Sequence, residues 1–249
     1  MRVRPISRPL AALALLALLA SGACGADASA DVQVTGPTVP TVTLTELSVI
    51  ETLTTAAPPP TAPPSSTGTV PPGPEDVVII GDSLTLSAEE EIAGELRLAG
   101  IDIVGFDAME NRRTARDLDD LPSGVTAAEQ LAAEHEPDAW VIALGSNDVG
   151  GQVEPDDFRA DVRALLGALP VGARVIWIDM WVEDRLEGSR ELNAVLRQVA
   201  ATRGNMTVVD WFQFGDDPGI VRDDGVHLTD AGQRAFAAQI AAALAPTAG

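Results

Sequence analysis

From residue 77 onwards, short apolar runs alternate with longer stretches of helical period, and no other feature of the chain narrows its fold as sharply. The runs at 77–80, 101–106, 139–144, 174–178 and 206–209 are apolar throughout or nearly so, and too short for helices, so they read as strands. Between and after them, 87–99, 126–135, 155–169, 188–202 and 230–244 carry helical spacing. In the last of these Ala235, Phe236, Ile240 and Leu244 share one face, and Thr229 or Asp230 is available as N-cap. Strands that alternate with helices in this way form a parallel sheet with helices over both faces, so the expected fold is a three-layer α/β/α domain on a five-stranded sheet, spanning 75–249. In open sheets of this class, sites form beyond the carboxyl ends of the strands, and those ends are where chemistry is to be sought.

Three such places carry unusual residues. The first strand runs into Gly81-Asp82-Ser83-Leu84, the third into Gly145-Ser146-Asn147-Asp148, and the loop before the last helix reads Asp224-Gly225-Val226-His227. Each is weak alone, since a Gly-Asp-Ser turn is common at strand ends. Together they supply the parts of an acyl-transfer site. A serine hydroxyl attacks at neutral pH only if a base removes its proton, and His227 is the candidate base for Ser83. Asp224 stands three residues before His227, and a tight turn through Gly225 would let its carboxylate hold one imidazole nitrogen while the other faces Ser83. Asp223 is the alternative acid, less favoured by spacing. Asn147 can offer a side-chain N–H to a developing oxyanion, as can the backbone N–H of Ser83 at a helix start.

These three blocks, "GDSL", "GSND" and "DGVHLT", resemble the SGNH/GDSL hydrolases in order and separation, from about Val77 to Leu244. The resemblance implies a flavodoxin-like fold and carboxylic ester hydrolysis, with Ser83 as nucleophile, Asn147 as oxyanion donor, Asp224 as the acid and His227 as base. The pattern Gly-x-Ser-x-Gly of α/β-hydrolases is not met, because Thr85 holds the second glycine position. One block departs from the family pattern. Where a glycine usually joins the oxyanion hole, the stretch "VGFDAMENRRTARDL" aligns Asn111, a residue that tolerates left-handed backbone. Gly105 is the alternative, nearer the strand. This block and "VVDW" at 208–211 are similar to SGNH domains that accompany acyltransferases of cell-surface polysaccharides.

The first third of the chain has a different composition. Arg2, Arg4 and Arg8 precede a run of Ala and Leu from 10 to 20, the order of an export signal and too short for a stable membrane span. Ser21-Gly22-Ala23-Cys24 follows and resembles a bacterial lipobox, which implies a signal peptide over 1–23 and lipid on Cys24, the protein's single cysteine. Cleavage near Ala28-Ser29-Ala30, giving a secreted protein, is the alternative. Residues 24–74 are Thr/Pro-rich and read as an extended linker. Of 37 acidic residues only Asp27, Asp31, Glu46 and Glu51 precede the domain, leaving 33 against 13 arginines, a balance that repels nucleic acid.

The remaining candidates have plainer readings. His135 reads as a solvated helix end and Asp148 as a helix cap. Arg112 and Arg113 read as partners of surface carboxylates, or as ligands of an acidic substrate, and Trp181 as core or as the wall of a subsite. No Cys/His cluster suggests a metal, and no cofactor motif is present. The expected protein is therefore a monomeric, lipid-anchored, extracytoplasmic serine esterase acting on a small acyl ester, with an O-acetylated carbohydrate favoured. An acyltransferase to wall or capsule sugars, and a non-catalytic polysaccharide-binding module, are its rivals.

Overall fold

The computed structural model describes residues 73–246. The expected signal peptide, Cys24 and the linker up to residue 72 lie outside the described residues. Five strands, β1 (Asp76–Gly81), β2 (Asp102–Ala108), β3 (Ala139–Ala143), β4 (Val175–Ile178) and β5 (Met206–Val209), pair in parallel in the order β2-β1-β3-β4-β5. All five expected strands are present, with ends moved by at most two residues. The helices are α1 (Ser83–Ser87), α2 (Glu89–Leu98), α3 (Gly124–Glu134), α4 (Ser146–Gly150), α5 (Pro155–Ala168), α6 (Leu186–Arg203) and α7 (Asp230–Leu244).

Strand periodicity builds two cores from one sheet. Val78, Ile80, Trp140, Ile142, Val175 and Trp177 point to one face and pack with Ala127 of α3, Phe158 and Leu165 of α5, and Leu192 and Leu196 of α6. Their neighbours Val77, Ile79, Val141, Ile176 and Ile178 point to the other and pack with Ile92 and Leu96 of α2 and Phe236, Ile240 and Leu244 of α7. Both faces are thus covered, which is why these strands are apolar throughout instead of alternating.

The chain begins in mid-sheet at β1, moves outward to β2, then returns past β1 to β3. That reversal leaves a crevice at the carboxyl ends of β1 and β3, since their following connections run to opposite sides. Ser83 follows β1 and Asn147 follows β3, so topology alone brings them to one opening. The helical period expected over 87–99 is α2, and the helix start expected at Ser83 is the short α1. Helix starts at once after β1 because Asp82 caps it, its Oδ1 accepting the Leu84 N–H at 3.0 Å. This tight strand-to-helix step needs Gly81: a Cβ there would collide with the side chain of Thr85.

Candidate active site

Ser83 is the first residue of α1, so its N–H has no partner within the helix. Its Oγ lies 3.2 Å from Nε2 of His227, and Nδ1 of His227 lies 2.9 Å from Oδ2 of Asp224. The other carboxylate oxygen, Oδ1, accepts the backbone N–H groups of Val226 and His227 at 3.0 and 2.8 Å. Gly225 supplies the turn this requires, with φ 72° in the left-handed region. The loop is tied to the segment after β4 by the Glu183 N–H, which donates to Gly225 O at 2.9 Å, and is closed on itself by Arg222 N–H donating to His227 O at 2.7 Å.

Burial pushes the Asp224 carboxyl up, but the two backbone N–H groups and the imidazole of His227 outweigh it and hold the group down at about 2. An ionised Asp224 accepts from Nδ1–H, which leaves Nε2 as the acceptor facing the Ser83 hydroxyl; this tautomer is inferred from the hydrogen bonds. Asp223, the alternative acid, has no such contact among the described hydrogen bonds.

Asn147 sits in the first turn of α4, a helix the sequence reading missed because five residues are too few to show periodicity. Its Nδ2 donates one hydrogen to Arg112 O at 3.1 Å, which fixes the amide and leaves a second N–H for a ligand. Asn111 has φ 60° and lies beside it along the same cavity. Gly105, by contrast, is inside β2, paired in register with Val78 and packed beneath Leu131 and His135. The cavity has a volume of about 410 Å³, and Ser83, Asn111, Asn147, Asp224 and His227 all line it. Glu110, Val182 and Val226 join them and were not anticipated from sequence. The signal for Glu110 was its place beside Asn111.

Several side readings change. Arg112 is buried, not surface-paired or turned to the cavity. Its guanidinium donates to Asp107 Oδ1 at 2.7 Å and to the carbonyls of Asp107 (2.6 Å), Pro122 (3.2 Å) and Gly81 (3.4 Å). The guanidinium of Arg113 stands against Gly151. Asp148 is no cap, because Gly145 occupies that position. Its Oδ2 instead accepts the N–H and hydroxyl of Thr114 at 3.0 and 2.8 Å, binding α4 to the Asn111 segment. Trp181 is buried against Phe212, ring centroids 5.0 Å apart, and does not line the cavity. His135 is half-buried over Gly105 at the end of α3.

Asp82 is fully buried beneath Ser83, with Oδ2 lacking a partner. Burial raises its carboxyl to about 7, and Asp148 nearby adds to the rise, against the Leu84 N–H, the Ser146 hydroxyl and His227, which lower it.

Residues 79–235 match the sequence model of the GDSL-like lipase/acylhydrolase family. Among solved structures, the chain is similar to the C-terminal catalytic domain of peptidoglycan O-acetyltransferase A from Streptococcus pneumoniae (23% identity, TM-score 0.52, 69% of this chain and 93% of that one). It is also similar to Est24, a carbohydrate acetylesterase from Sinorhizobium meliloti (22%, 0.52, 68% and 99%), and to a family 3 carbohydrate esterase from Clostridium thermocellum (16%, 0.54, 68% and 98%). These likenesses establish the fold. No match is found among curated proteins.

Arg112→Lys should lower stability by about 2 kcal/mol in urea denaturation, because one ammonium cannot span a carboxylate and three separated carbonyls as the planar fork does. Wild-type stability would count against the clamp. The Asp82 carboxyl is raised in the folded state, so its contribution is full below the unfolded value of about 4 and is lost as pH rises through 7. Tm should therefore fall between pH 5 and 8, and Asp82→Asn should remove part of that slope. Asp148 and Asp179, also raised by burial, supply more of it. An identical slope in the variant would refute the assignment.

Proposed function

The chain belongs to the GDSL-like lipase/acylhydrolase family and is a carboxylic ester hydrolase, and from that premise we propose that it removes short acyl groups, O-acetyl foremost, from carbohydrate outside the cytoplasmic membrane. The observation that carries this reading is the unbroken hydrogen-bonded series Ser83, His227, Asp224 at a cavity mouth. Ser83 Oγ attacks the ester carbonyl while Nε2 of His227 takes its proton, and Asp224 stabilises the imidazolium that forms. The oxyanion draws on the N–H groups of Ser83 and Asn111 and on the second N–H of Asn147. Collapse expels the alcohol with the proton from His227. Water then repeats the sequence on the acyl-enzyme and frees Ser83 with the acid.

A short acyl group suits the site because, among lining residues that are mostly polar, the large apolar side chains are only Val182 and Val226. Carbohydrate as the alcohol is supported by the sugar-directed names of neighbours that share the fold. The external location rests on Arg2, Arg4 and Arg8 before the apolar run, with Cys24 proposed to carry lipid.

Ser83→Ala should reduce kcat/KM for p-nitrophenyl acetate by about 10³ or more and abolish covalent labelling by a fluorophosphonate. Equal rates in wild type and variant would sink the mechanism, and unlabelled wild type would favour a binding module. For the anchor, cells fed an alkynyl fatty acid should yield labelled wild type, whereas Cys24→Ala should be unlabelled. Label persisting in that variant would overturn lipidation at Cys24.

A further inference from the structure

The cavity that holds Ser83 is lined by two carboxylates, Glu110 and Asp224, and by no arginine. Asp224 is engaged by His227 and by two backbone N–H groups. Glu110 differs: it is exposed and has no ion pair among the described residues. The two cations nearest in sequence do not offset it. Arg112 is buried on Asp107, and Arg113 is turned to Gly151, with Asp148 and Asp161 as its charged neighbours. Glu110 also has a defined footing. It stands in the turn after β2 between Asp107 and Arg112, the two residues of the clamp, and next to Asn111 in its left-handed conformation.

Resting on the esterase reading above, we infer that Glu110 is a specificity-determining residue that selects esters whose alcohol carries a positive charge and disfavours those whose alcohol is anionic. The chemical class that fits is an O-acylated amino sugar with a free ammonium group, as opposed to an acylated uronic acid. An ammonium on the sugar ring meets the unpaired Glu110 carboxylate at the mouth, while the ester carbonyl sits over Ser83. A ring carboxylate at the same mouth faces like charge and meets no arginine among the residues that line it. The surrounding field acts in the same direction, because the folded part carries 33 acidic residues against 13 arginines. It steers cations inward and anions away until salt screens it. Glu110 touches no reacting atom in this scheme, and its effect lies in which alcohol is bound and delivered.

The test compares three acetyl esters on one sugar skeleton, acetylated at the same hydroxyl: glucosamine, glucose and glucuronate. They are assayed with the full chain below the pKa of the amine, at low and high salt. For the wild type, kcat/KM should fall in the order cationic, neutral, anionic, with about a 10-fold span at low salt that narrows at high salt. Glu110→Gln should shrink the cationic-to-anionic ratio several-fold, and Glu110→Lys should invert it. A ratio unchanged in both variants, or an anionic ester turned over fastest by wild type, overturns the inference. Hydrolysis of p-nitrophenyl acetate in the same preparation keeps the two readings apart. Turnover of that neutral ester with no charge discrimination among the sugars defeats the role of Glu110 and leaves the esterase standing. Turnover of none of the four esters defeats both.

Discussion

One buried guanidinium holds the cavity together. Arg112 is 1% exposed, and its planar fork reaches the last residue of β1 through Gly81 O, the end of β2 through the carbonyl and Oδ1 of Asp107, and the approach to α3 through Pro122 O. Its own carbonyl accepts from the Asn147 amide, so α4 leans on the same residue. The segments that carry Ser83, Asn111 and Asn147 leave different strands and have no ladder to align them beyond the sheet edge. A charged, multidentate donor in a low-dielectric interior gives that alignment, because each carbonyl it serves would be costly to leave unpaired. Asp148 repeats the device on the far side by accepting both donors of Thr114.

Burial divides the carboxylates around Ser83 into two kinds. Asp224 lies near the surface and is held ionised by donors that point at it, so it serves as a fixed negative charge behind His227. Asp82 and Asp148 lie inside, where burial favours the neutral acid, and they act as acceptors in helix and loop anchoring. Residues of one chemical type thus have opposite tasks: each accepts at least one backbone N–H, but only near the surface do the donors outweigh the cost of burial.

Most of the fold was legible in the sequence because strand and helix periods are local. Runs such as Val77 to Ile80 must be buried on both faces, and the turn chemistry of Gly225 fixes how Asp224 and His227 face each other. Asn111 was reached by alignment with the glycine of the family's second block, and its residue type tolerates the left-handed backbone it adopts. What escaped depends on contacts between segments far apart in the chain. Nothing around Arg112 in sequence shows that it will point inward between two strands. Trp181 follows a strand end as a subsite wall would, yet Gly215, more than thirty residues later, leaves the space into which its ring packs. Asp148 had the position and residue type of a cap, but the donor it accepts from lies on the Thr114 segment. Burial of a polar side chain is a tertiary property, and single-residue patterns do not carry it.

The His227 loop bears on how such a site can fail. The proposed base and its orienting acid lie in four consecutive residues, and the backbone N–H of His227 is among the donors that hold the Asp224 carboxylate. Closing the turn and pairing the two side chains are therefore one event. Opening the loop would cost the carboxylate and the imidazole their shared contacts together. On the mechanism proposed above, turnover per molecule would count closed loops, and any local opening of this turn would be read as lost specific activity.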